Sequence, residues 1–401
     1  MLTVLADDLT GAAEIAGVCL RFGLSVTFDL DFNIRHLPKT DVWIIASDTR
    51  SLPEKEACDV VKTIACRLKE LKVKTIFKKT DSVLRGHIIP EIKALQEYFL
   101  VDRIFILPAN PEAGRIIRNG IYYINELPLN QTAFANDPDF PARTASINEI
   151  LQLTDNRHCE LPEAKQSTSP PLWGGVGGEV IIPDILSIDD YEKYARQITP
   201  ETLPAGSSVF FEACLPVYFP LLETNAGLLR SARNDGETPH KKSRMLMISG
   251  STHEVSKQFI RENSIFKLIE IDTGYVEKLL EIPEFFRIWI ENTVIIFNRY
   301  KKIIITVKNE CDRQVSSGKV KKLLAAITAE LIHKYTFDEL LIEGGATAYA
   351  CLQAVGFTSL IPAEEQARGV VRFQISGKEN MHLTIKPGSY EWPEKLFETT
   401  F

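Results

Sequence analysis

The sequence predicts an α/β protein with two domains, each built on a largely parallel sheet. In both halves of the chain, short apolar runs alternate with stretches of helical length, a pattern typical of parallel strands joined by helices. At 401 residues the chain is too long for one average core. We therefore predict domains at 1–224 and 245–401, with a linker at 225–244 and a loop insertion in the first domain at 163–178.

In the first half, short buried strands are separated by helices. The predicted strands are Leu2–Ala6, Ser25–Asp29, Val42–Ala46, Thr75–Lys78 and Arg103–Leu107, with two more at Val180–Ile182 and Ser208–Phe211. The predicted helices are Ala12–Phe22, Glu54–Leu71 and Pro90–Phe99. Connections of this length predict helices on both faces of the sheet. The glycines of 163–178 follow no strand and lack a Gly-Lys-Ser/Thr ending, which favours a surface insertion over a phosphate loop.

The second half starts the same alternation again. Its predicted strands are Met245–Ser249, Ile303–Val307 and Glu339–Ile342, and its predicted helices are Glu254–Glu262, Lys319–His333 and Ala348–Val355. The polar stretch at 225–244 is rich in arginine and lysine, which is typical of a solvated connection between domains. The second domain is thus also predicted to be α/β.

Composition and charge narrow the class of protein. Hydrophobic residues make up 45% and charged residues 25%, as in ordinary globular proteins. The net charge of −7 argues against general affinity for nucleic acid or an anionic membrane surface. No apolar run approaches the roughly 20 residues of a membrane span. Seven scattered cysteines without a C-x-x-C pair favour reduced thiols. We expect a cytoplasmic protein, with a homodimer as the default assembly.

The first strand-to-helix junction carries two adjacent carboxylates, Asp7 and Asp8. In an open α/β sheet such a junction lies at the carboxyl end of a strand, where ligands bind. A helix cap needs only one such residue. The second carboxylate predicts a compensating metal ion, cationic side chain or substrate hydroxyl.

Three further junctions of the first half carry polar side chains directly after a strand. They contain Arg50, then Lys79, Asp81, Ser82 and Arg85, and then Arg115. Each junction alone is as consistent with a helix cap or a surface ion pair, but four on one sheet edge favour a site. Arginine forks bind carboxylates, and aspartate accepts a hydroxyl proton or holds Mg²⁺. The mixture fits a small polyhydroxy acid.

The second half carries small residues between strand and helix. These turns are Ser249-Gly250-Ser251, Gly344-Gly345-Ala346-Thr347 and, near the end, Pro387-Gly388. Small residues let backbone N–H groups approach phosphate oxygens, and the helix dipole favours their negative charge. None matches a P-loop, and each alone could be a structural turn. No side-chain grouping has metal-ligand spacing, so Mg²⁺ is expected only with a bound nucleotide.

The ordered motifs together closely resemble the four-carbon acid sugar kinases. The motifs are Leu5-Ala6-Asp7-Asp8-Leu9-Thr10-Gly11-Ala12, Lys79-Thr80-Asp81-Ser82-Val83-Leu84-Arg85-Gly86, Pro108-Ala109-Asn110-Pro111-Glu112-Ala113-Gly114-Arg115, Asn119-Gly120, and Thr132-Ala133-Phe134-Ala135-Asn136-Asp137-Pro138. The resemblance continues through Ser249-Gly250-Ser251 and the Gly344-Gly345 turn. It covers nearly the whole chain apart from the insertion and linker.

The resemblance implies phosphorylation of D-threonate, D-erythronate or 3-oxo-tetronates by ATP. It implies a sugar-acid-binding domain followed by a nucleotide-binding domain, with chemistry in the cleft between them. By position, the implied substrate contacts are Asp8, Arg50, Asp81 and Ser82, with Asp7, Lys79, Arg85 and Arg115 nearby. The implied ATP contacts are Ser249, Gly250, Ser251, Gly344, Gly345, Ala346, Thr347 and Gly388.

One position departs from the family pattern. The family turn usually reads Gly-Gly-Glu-Thr or Gly-Gly-Asp-Thr, whereas Ala346 stands in place of the acidic residue. This departure bears on nucleotide affinity and on metal placement. Glu343, directly before the glycines, is the candidate to compensate.

The resulting hypothesis is in-line transfer of the ATP γ-phosphoryl group to the terminal hydroxyl of a four-carbon acid. Asp8 or Asp81 orients the hydroxyl and accepts its proton, Arg50 or Arg85 holds the substrate carboxylate, and closure of the domains excludes water. One alternative is a non-catalytic sugar-acid sensor, motivated by Ala346. Another is a kinase of a related hydroxy acid such as 4-hydroxythreonine.

Overall fold

The computed structural model describes residues 1–30, 36–137, 140–153, 178–222, 244–308 and 315–397. The chain divides into two compact units, one containing Met1–Val18 and Phe32–Arg230 and the other containing Cys19–Asp31 and Ser231–Phe401. Apart from their last residues, the predicted insertion and linker lie outside the described residues. The domain limits at 1–224 and 245–401 stay a prediction.

The secondary structure alternates strands and helices. The described strands are β1 (Leu2–Ala6), β2 (Val26–Asp29), β3 (Val42–Ala46), β4 (Ile76–Lys79), β5 (Arg103–Leu107), β6 (Arg115–Arg118), β7 (Ile121–Ile124), β8 (Leu127–Pro128), β9 (Glu179–Ile181), β10 (Thr202–Gly206), β11 (Met245–Ser249), β12 (Lys267–Ile271), β13 (Lys302–Val307), β14 (Glu339–Glu343), β15 (Ser359–Ala367), β16 (Val370–Ile375) and β17 (Lys378–Lys386). The described α-helices are α1 (Leu9–Arg21), α2 (Glu54–Glu70), α3 (Ile88–Gln96), α4 (Ile147–Ile150), α5 (Ile188–Ala195), α6 (Ser208–Tyr218), α7 (Glu254–Glu262), α8 (Thr273–Glu281), α9 (Pro283–Tyr300), α10 (Ser317–Lys334) and α11 (Gly345–Val355).

The main sheet of the first unit is parallel, with strand order β3-β1-β4-β10-β5-β9. Every residue of β1 and β3 is buried, as expected for strands covered on both faces. In this sheet β3 lies on one side of β1, whereas β4 and the later strands lie on the other side of β1. The strand order therefore reverses between β1 and β4, and the crevice beyond the carboxyl ends of these strands is the expected ligand site of such a sheet.

A small antiparallel sheet follows β5 in the first unit. Its strand order is β6-β7-β8. An isolated bridge between Asn110 and Arg115 lies at its start, next to the polar residues that follow β5. The backbone N–H groups of Asn119 and Gly120 donate to the Asp184 carboxylate at 2.6 and 3.1 Å. This small sheet was not predicted, and it holds Arg115 in a strand rather than a loop.

The strands of the second unit follow the order β12-β13-β11-β14-β17-β16-β15-β2. Strands β12, β13, β11, β14 and β17 are parallel, and β17, β16, β15 and β2 are joined by antiparallel pairs. The chain passes from β11 to β12 on one side, while β14 lies on the other. The strand order therefore reverses between β11 and β14, which predicts a second ligand crevice at that point.

The predicted fold class, α/β with two units whose strands are largely parallel, is confirmed. Four predicted strands (Leu2–Ala6, Val42–Ala46, Arg103–Leu107 and Met245–Ser249) and the helix Glu254–Glu262 have the bounds that the sequence predicted. Long segments of the second half were missed, namely β12, α8, α9 and β15 to β17.

The predicted strand Ser208–Phe211 is wrong, because these residues begin α6. The Ser207 hydroxyl accepts the N–H of Phe210 at 3.4 Å and caps the helix. The true strand, β10, precedes it and contains Pro204 and Gly206, which are residues more typical of a turn. Glycine is needed at 206 because a Cβ atom there would overlap the carbonyl oxygen of Leu107 on the neighbouring strand.

Two further features bear on the class of protein. No helix in the described part of the chain is long and apolar enough to cross a membrane. Five of the seven cysteines lie in the described ranges, and none of these five forms a disulfide. Reduced thiols were predicted, and the cytoplasmic location stays a prediction.

Candidate active site

Arg50 joins the three aspartates that follow β1 and β4. Its Nε donates to Asp7 Oδ2 at 2.8 Å, and its Nη2 donates to Asp8 Oδ1 at 2.7 Å. Its Nη1 lies 3.5 Å from Asp81 Oδ1. The repulsion between Asp7 and Asp8 is thus compensated by a cationic side chain, which is one of the three possibilities that the sequence left open.

Asp8 caps α1 and also faces two cations. Its Oδ1 accepts the N–H of Gly11 at 3.0 Å, and its Oδ2 accepts the Thr10 hydroxyl. A Cβ at Gly11 would lie 2.6 Å from Asp8 Oδ1 and 3.0 Å from Lys79 Nζ, so glycine permits this close approach. Burial alone would raise the pKa of Asp8, but Arg50 and Lys79 hold that pKa below its ordinary value. Asp8 is therefore ionised at neutral pH.

Asp81 is held more tightly than Asp8. Arg85 donates to both of its carboxylate oxygens at 2.9 Å, and the backbone N–H groups of Val83 and Arg85 donate to Oδ2 at 3.2 and 3.1 Å. Burial opposes ionisation, but Arg85 and Arg50 hold the pKa of Asp81 far below its ordinary range. Three of these hydrogen bonds go to Oδ2 and one goes to Oδ1, and Oδ1 also faces Arg50 Nη1 at 3.5 Å. Asp81 is therefore engaged at both oxygens within the protein.

The two lysines that end β4 have different partners. Lys78 is fully buried and forms an ion pair with Glu91 of α3 at 2.8 Å. Lys79 Nζ donates to the carbonyl oxygen of Thr80 at 2.9 Å and lies 3.7 Å from the Glu14 carboxylate. Lys78 thus anchors α3 against β4, whereas Lys79 adds positive charge next to Asp8.

Arg115 differs from the other cations of this site because its charge is not neutralised. It donates to the Ser82 hydroxyl, and its guanidinium lies 5.9 Å from the centre of the Phe134 ring. Within the described ranges no carboxylate forms an ion pair with it, whereas Arg85 is paired with both Asp81 and Asp137. Arg115 is therefore the cation best able to receive an anionic group from outside the protein.

In the second unit a buried charge network lies at the ends of three neighbouring strands. Ser249, Glu343 and Lys386 end β11, β14 and β17, and all three are fully buried. The Ser249 hydroxyl donates to Glu343 Oε2 at 2.7 Å, and Lys386 Nζ forms an ion pair with Glu343 Oε1. Lys386 also donates to the carbonyl oxygens of Pro387, at 2.9 Å, and Tyr390. Burial lowers the pKa of Lys386, and Glu343 opposes this effect.

The turns that follow these strands interlock. A Cβ at Gly250 would overlap Thr347 Oγ1, and a Cβ at Gly388 would overlap Ser251 Oγ. The Ser256 hydroxyl donates to the carbonyl oxygen of Gly388 at 2.8 Å. Glycine at 250 and 388 thus lets the three turns pack together, so all the predicted nucleotide-binding positions form one cluster.

The N-terminus of α11 supplies free backbone donors to this cluster. Gly344 has φ of 92°, a conformation that favours glycine, and its N–H donates to the carbonyl oxygen of Lys386 at 2.9 Å. The first hydrogen bond within the helix is donated by Ala348 to Gly344, at 2.9 Å. The N–H groups of Gly345, Ala346 and Thr347 have no acceptor in the described structure. Free N–H groups at a helix N-terminus can bind phosphate oxygens.

The expectation that Glu343 compensates for Ala346 is wrong. The Glu343 carboxylate is fully buried and is engaged by Ser249 and Lys386, so it is not available to a metal ion. Within the described ranges no group of three histidine, cysteine, aspartate or glutamate side chains is arranged to hold a metal. The turn therefore fits phosphate through its N–H groups and offers Mg²⁺ no carboxylate of its own.

The structure brings the predicted residues into two clusters. The first contains Asp7, Asp8, Arg50, Lys79, Asp81, Ser82, Arg85 and Arg115, and the second contains Ser249, Gly250, Ser251, Gly344, Gly345, Ala346, Thr347 and Gly388. Sequence reasoning missed the pairing of Lys386 with Glu343, although the predicted Pro387-Gly388 turn follows Lys386 directly. It also missed Phe134, which lies in a recognised motif.

Two family models together match most of the chain. A model described as a sugar-binding N-terminal domain matches residues 2–213, and one described as a nucleotide-binding C-terminal domain matches residues 286–390. The first match alone spans more than half of the chain. Each of the two clusters has residues within a matched segment. Ser249, Gly250 and Ser251, however, lie in the unmatched part of the chain between the two segments.

Relatives named as sugar-acid kinases share low sequence identity with the chain. It is 22% identical to D-threonate kinase of Salmonella typhimurium, covering 88% of this chain and 86% of that one. It is 23% identical to 3-oxo-tetronate kinase of Actinobacillus succinogenes, covering 99% and 98%. For D-threonate kinase of Bordetella bronchiseptica the identity is 28%, and the match spans 51% of this chain and only 52% of that one.

Solved structures share the fold. A Salmonella typhimurium protein matches with a TM-score of 0.72 at 18% identity, covering 99% of this chain and 97% of that one. A Haemophilus influenzae protein matches with a TM-score of 0.66 at 21% identity, covering 99% and 98%. At these identities the likeness concerns the fold alone.

Proposed function

Because the chain belongs to the four-carbon acid sugar kinase family and is a sugar-acid kinase, we propose that it phosphorylates the terminal hydroxyl of threonate, erythronate or a 3-oxo-tetronate. The observation that carries the proposal is the charge distribution of the first cluster. Asp8 is ionised and keeps an acceptor position, and Arg115 has no acid partner within the described ranges. A hydroxyl acceptor and an unpaired guanidinium suit a hydroxy acid.

We assign the orientation of the attacking hydroxyl to Asp8 rather than to Asp81. Asp8 accepts three hydrogen bonds, from Thr10, Gly11 and Arg50, which leaves about one of its acceptor positions open. Asp81 accepts four, three of them at Oδ2, and its Oδ1 also faces Arg50 Nη1 at 3.5 Å, so a substrate hydroxyl at Oδ1 would compete with a protein cation. Asp81 then acts as a positioning residue, because it orients Arg85.

The substrate carboxylate is assigned to Arg115 and Ser82, not to Arg50 or Arg85. The Arg50 guanidinium is shared among three aspartates, and Arg85 is held by Asp81 and Asp137. Binding a substrate carboxylate at either would break existing ion pairs. Arg115 can take a carboxylate without such a loss, and Ser82 can donate a further hydrogen bond.

The ATP phosphates are assigned to the N–H groups of Gly345, Ala346 and Thr347. Phosphoryl transfer needs positioning and charge neutralisation more than covalent chemistry. In the proposed step the hydroxyl oxygen bonds to the γ-phosphorus, the bond to ADP breaks, and Asp8 accepts the hydroxyl proton. Mg²⁺, bound by the phosphates of ATP, would neutralise part of their charge.

A second candidate function, a sugar-acid sensor without catalysis, is favoured by one observation. Ala346 removes the acidic residue of the family turn, and Glu343 is buried in an ion pair. A sensor would bind the acid and the nucleotide without turnover. A kinase of 4-hydroxythreonine would instead need a free carboxylate for the substrate amino group.

The test is an ADP-release assay with ATP and Mg²⁺ over threonate, erythronate, 3-oxo-tetronate and 4-hydroxythreonine. We expect acceptor-dependent ADP release with at least one four-carbon sugar acid, together with a phosphorylated product by mass spectrometry. ADP release without any phosphorylated acid would indicate only ATP hydrolysis. Binding of both ligands without ADP would contradict the kinase proposal in favour of a sensor.

A further inference from the structure

The ring of Phe134 lies next to two arginines of the first cluster. The guanidinium carbon of Arg85 is 5.5 Å from the centre of this ring, and that of Arg115 is 5.9 Å from it. Both distances are within the range in which an aromatic ring attracts a cation. The ring is half-buried, so water screens this attraction only in part. Phe134 thus interacts with both cations although it carries no charge.

The two arginines differ in what else holds them. Arg85 is fixed by ion pairs with Asp81 and Asp137. Within the described ranges, the one hydrogen bond of the Arg115 guanidinium goes to the Ser82 hydroxyl. A guanidinium has five N–H donors, so most of those of Arg115 are left for a ligand. Because so few polar contacts orient Arg115, the ring contact matters more to Arg115 than to Arg85.

The backbone that carries the Phe134 ring is held on both sides. The N–H of Phe134 donates to the Thr132 hydroxyl at 3.3 Å. Its carbonyl oxygen accepts the N–H of Asp137 at 3.2 Å and the N–H of Ala142 at 2.9 Å. The Asp137 side chain in turn pairs with Arg85 at 3.1 Å. The ring is therefore mounted on a segment that is itself tied to the first cluster.

The small antiparallel sheet supports Arg115 from the side of Ser82. Arg115 starts β6, and the neighbouring strand β7 contains Tyr122, which is fully buried. The Tyr122 hydroxyl donates to the carbonyl oxygen of Ser82, and the Ser82 hydroxyl accepts a hydrogen bond from Arg115. The side chains that contact the Arg115 guanidinium in this way, a serine hydroxyl and a phenyl ring, have no net charge.

We propose that Phe134 is a positioning residue that holds the Arg115 guanidinium in the orientation that receives the substrate carboxylate. This role rests on the proposed function, in which Arg115 binds that carboxylate. The negative face of an aromatic ring attracts a guanidinium without neutralising its charge. A carboxylate in the place of the ring would hold Arg115 more strongly, but it would compete with the acid for the same N–H groups.

The test measures the KM for the sugar acid (threonate, erythronate or 3-oxo-tetronate, whichever the chain phosphorylates) by ADP release. Phe134→Leu keeps an apolar side chain but removes the ring, and we expect it to raise this KM about 3- to 10-fold without a loss of kcat or of ATP affinity. Phe134→Tyr keeps a ring and should restore the KM. The matched control is Phe140→Leu, because the half-buried Phe140 ring lies against His87 at 6.1 Å.

A double variant separates positioning of Arg115 from a general structural role. In the Arg115→Gln background, Phe134→Leu should raise the KM no further, because the group that the ring orients is gone. The same rise in both backgrounds, or no rise in Phe134→Leu alone, would overturn the role of Phe134. If Arg115→Gln itself leaves the KM unchanged, the carboxylate assignment fails as well. Circular dichroism checks folding, and Phe134→Met replaces Phe134→Leu if the leucine variant does not fold.

Discussion

Charged side chains have different roles in the two clusters. In the first unit Arg85 and Arg115 remain partly exposed, and Arg115 has no acid partner within the described ranges. In the second unit Glu343 and Lys386 are fully buried beneath the turns, and the groups left for a ligand are backbone N–H groups. One cluster can recognise its ligand through side-chain charge, whereas the other uses charge only to hold its backbone in place.

The largest expected effect concerns the buried charge of the second cluster. Lys386→Met should lower the free energy of unfolding by about 3–5 kcal/mol, because Glu343 would remain buried without its cation. Urea denaturation measures the loss. Lys378→Met, at the exposed start of the same strand, is the matched control.

Adding Glu343→Gln to Lys386→Met sharpens this prediction. The added substitution removes the uncompensated charge, so part of the lost stability should return. If the double variant is less stable than Lys386→Met alone, the broken ion pair is not the source of the lost stability. That result would contradict the view that buried charge holds the backbone of the second cluster in place.

The next effect concerns catalysis in the first cluster. Asp8→Asn should lower kcat by about 10²–10⁴-fold, the usual contribution of a positioned proton acceptor, while the Kd of ATP stays unchanged. Asp189→Asn, at an exposed position in α5, controls for loss of a carboxylate. Steady-state ADP release gives kcat, and near-normal turnover in Asp8→Asn would remove Asp8 from the assigned role.

A smaller effect is expected for recognition of the sugar acid. Arg115→Gln should raise the KM of the acid about 10- to 100-fold, since charge-assisted hydrogen bonds contribute about 1.5–3 kcal/mol. Arg118→Gln is the matched control, because Arg118 lies on the same strand and is exposed. If the KM for the acid is unchanged in Arg115→Gln, then Arg115 does not bind the substrate carboxylate, and Arg50 or Arg85 becomes the candidate for this contact.

The smallest effect near neutral pH is the dependence of stability on pH. Burial opposes the ionisation of Asp8 and Asp81, yet their cationic partners lower both pKa values in the folded chain. The folded state therefore binds fewer protons in acid than the unfolded chain does. The free energy of unfolding should be constant above about pH 5 and should fall below the ordinary aspartate pKa of about 3.9.

Denaturation of the unsubstituted chain and of Asp8→Asn at a series of pH values checks this prediction. The substitution should reduce the acid-side slope, because one of the two carboxylates no longer titrates. Equal slopes in the two proteins would mean that Asp8 is not held ionised by Arg50 and Lys79.

Much of the fold could be read from the sequence because its buried parallel strands are continuous apolar runs. β1, β3 and β5 have this form, and their bounds were predicted. β10 was missed because Pro204 and Gly206 are atypical of a strand, whereas the apolar run after it belongs to α6. In such a short run, neither periodicity nor length separates a strand from a helix.

The sequence selected residues that lie together in the structure, but it did not predict how their side chains pair. Position after a strand was enough to select Asp8, Asp81 and Arg115. Whether a charge is free depends on residues that are distant in sequence, as for Glu343, whose partners lie on β11 and β17. No local pattern contains that information, so the proposed role of Glu343 in metal placement was wrong.

The most direct test of the account measures the binding of each ligand to two variants by calorimetry. Arg115→Gln should weaken the sugar acid about 10- to 100-fold and leave ATP unaffected. Gly250→Ala, whose Cβ would overlap Thr347, should weaken ATP and leave the acid unaffected, with Gly318→Ala as the control because it has open space. Loss of ATP binding in Arg115→Gln, or loss of acid binding in Gly250→Ala, would contradict the assignment of the two clusters.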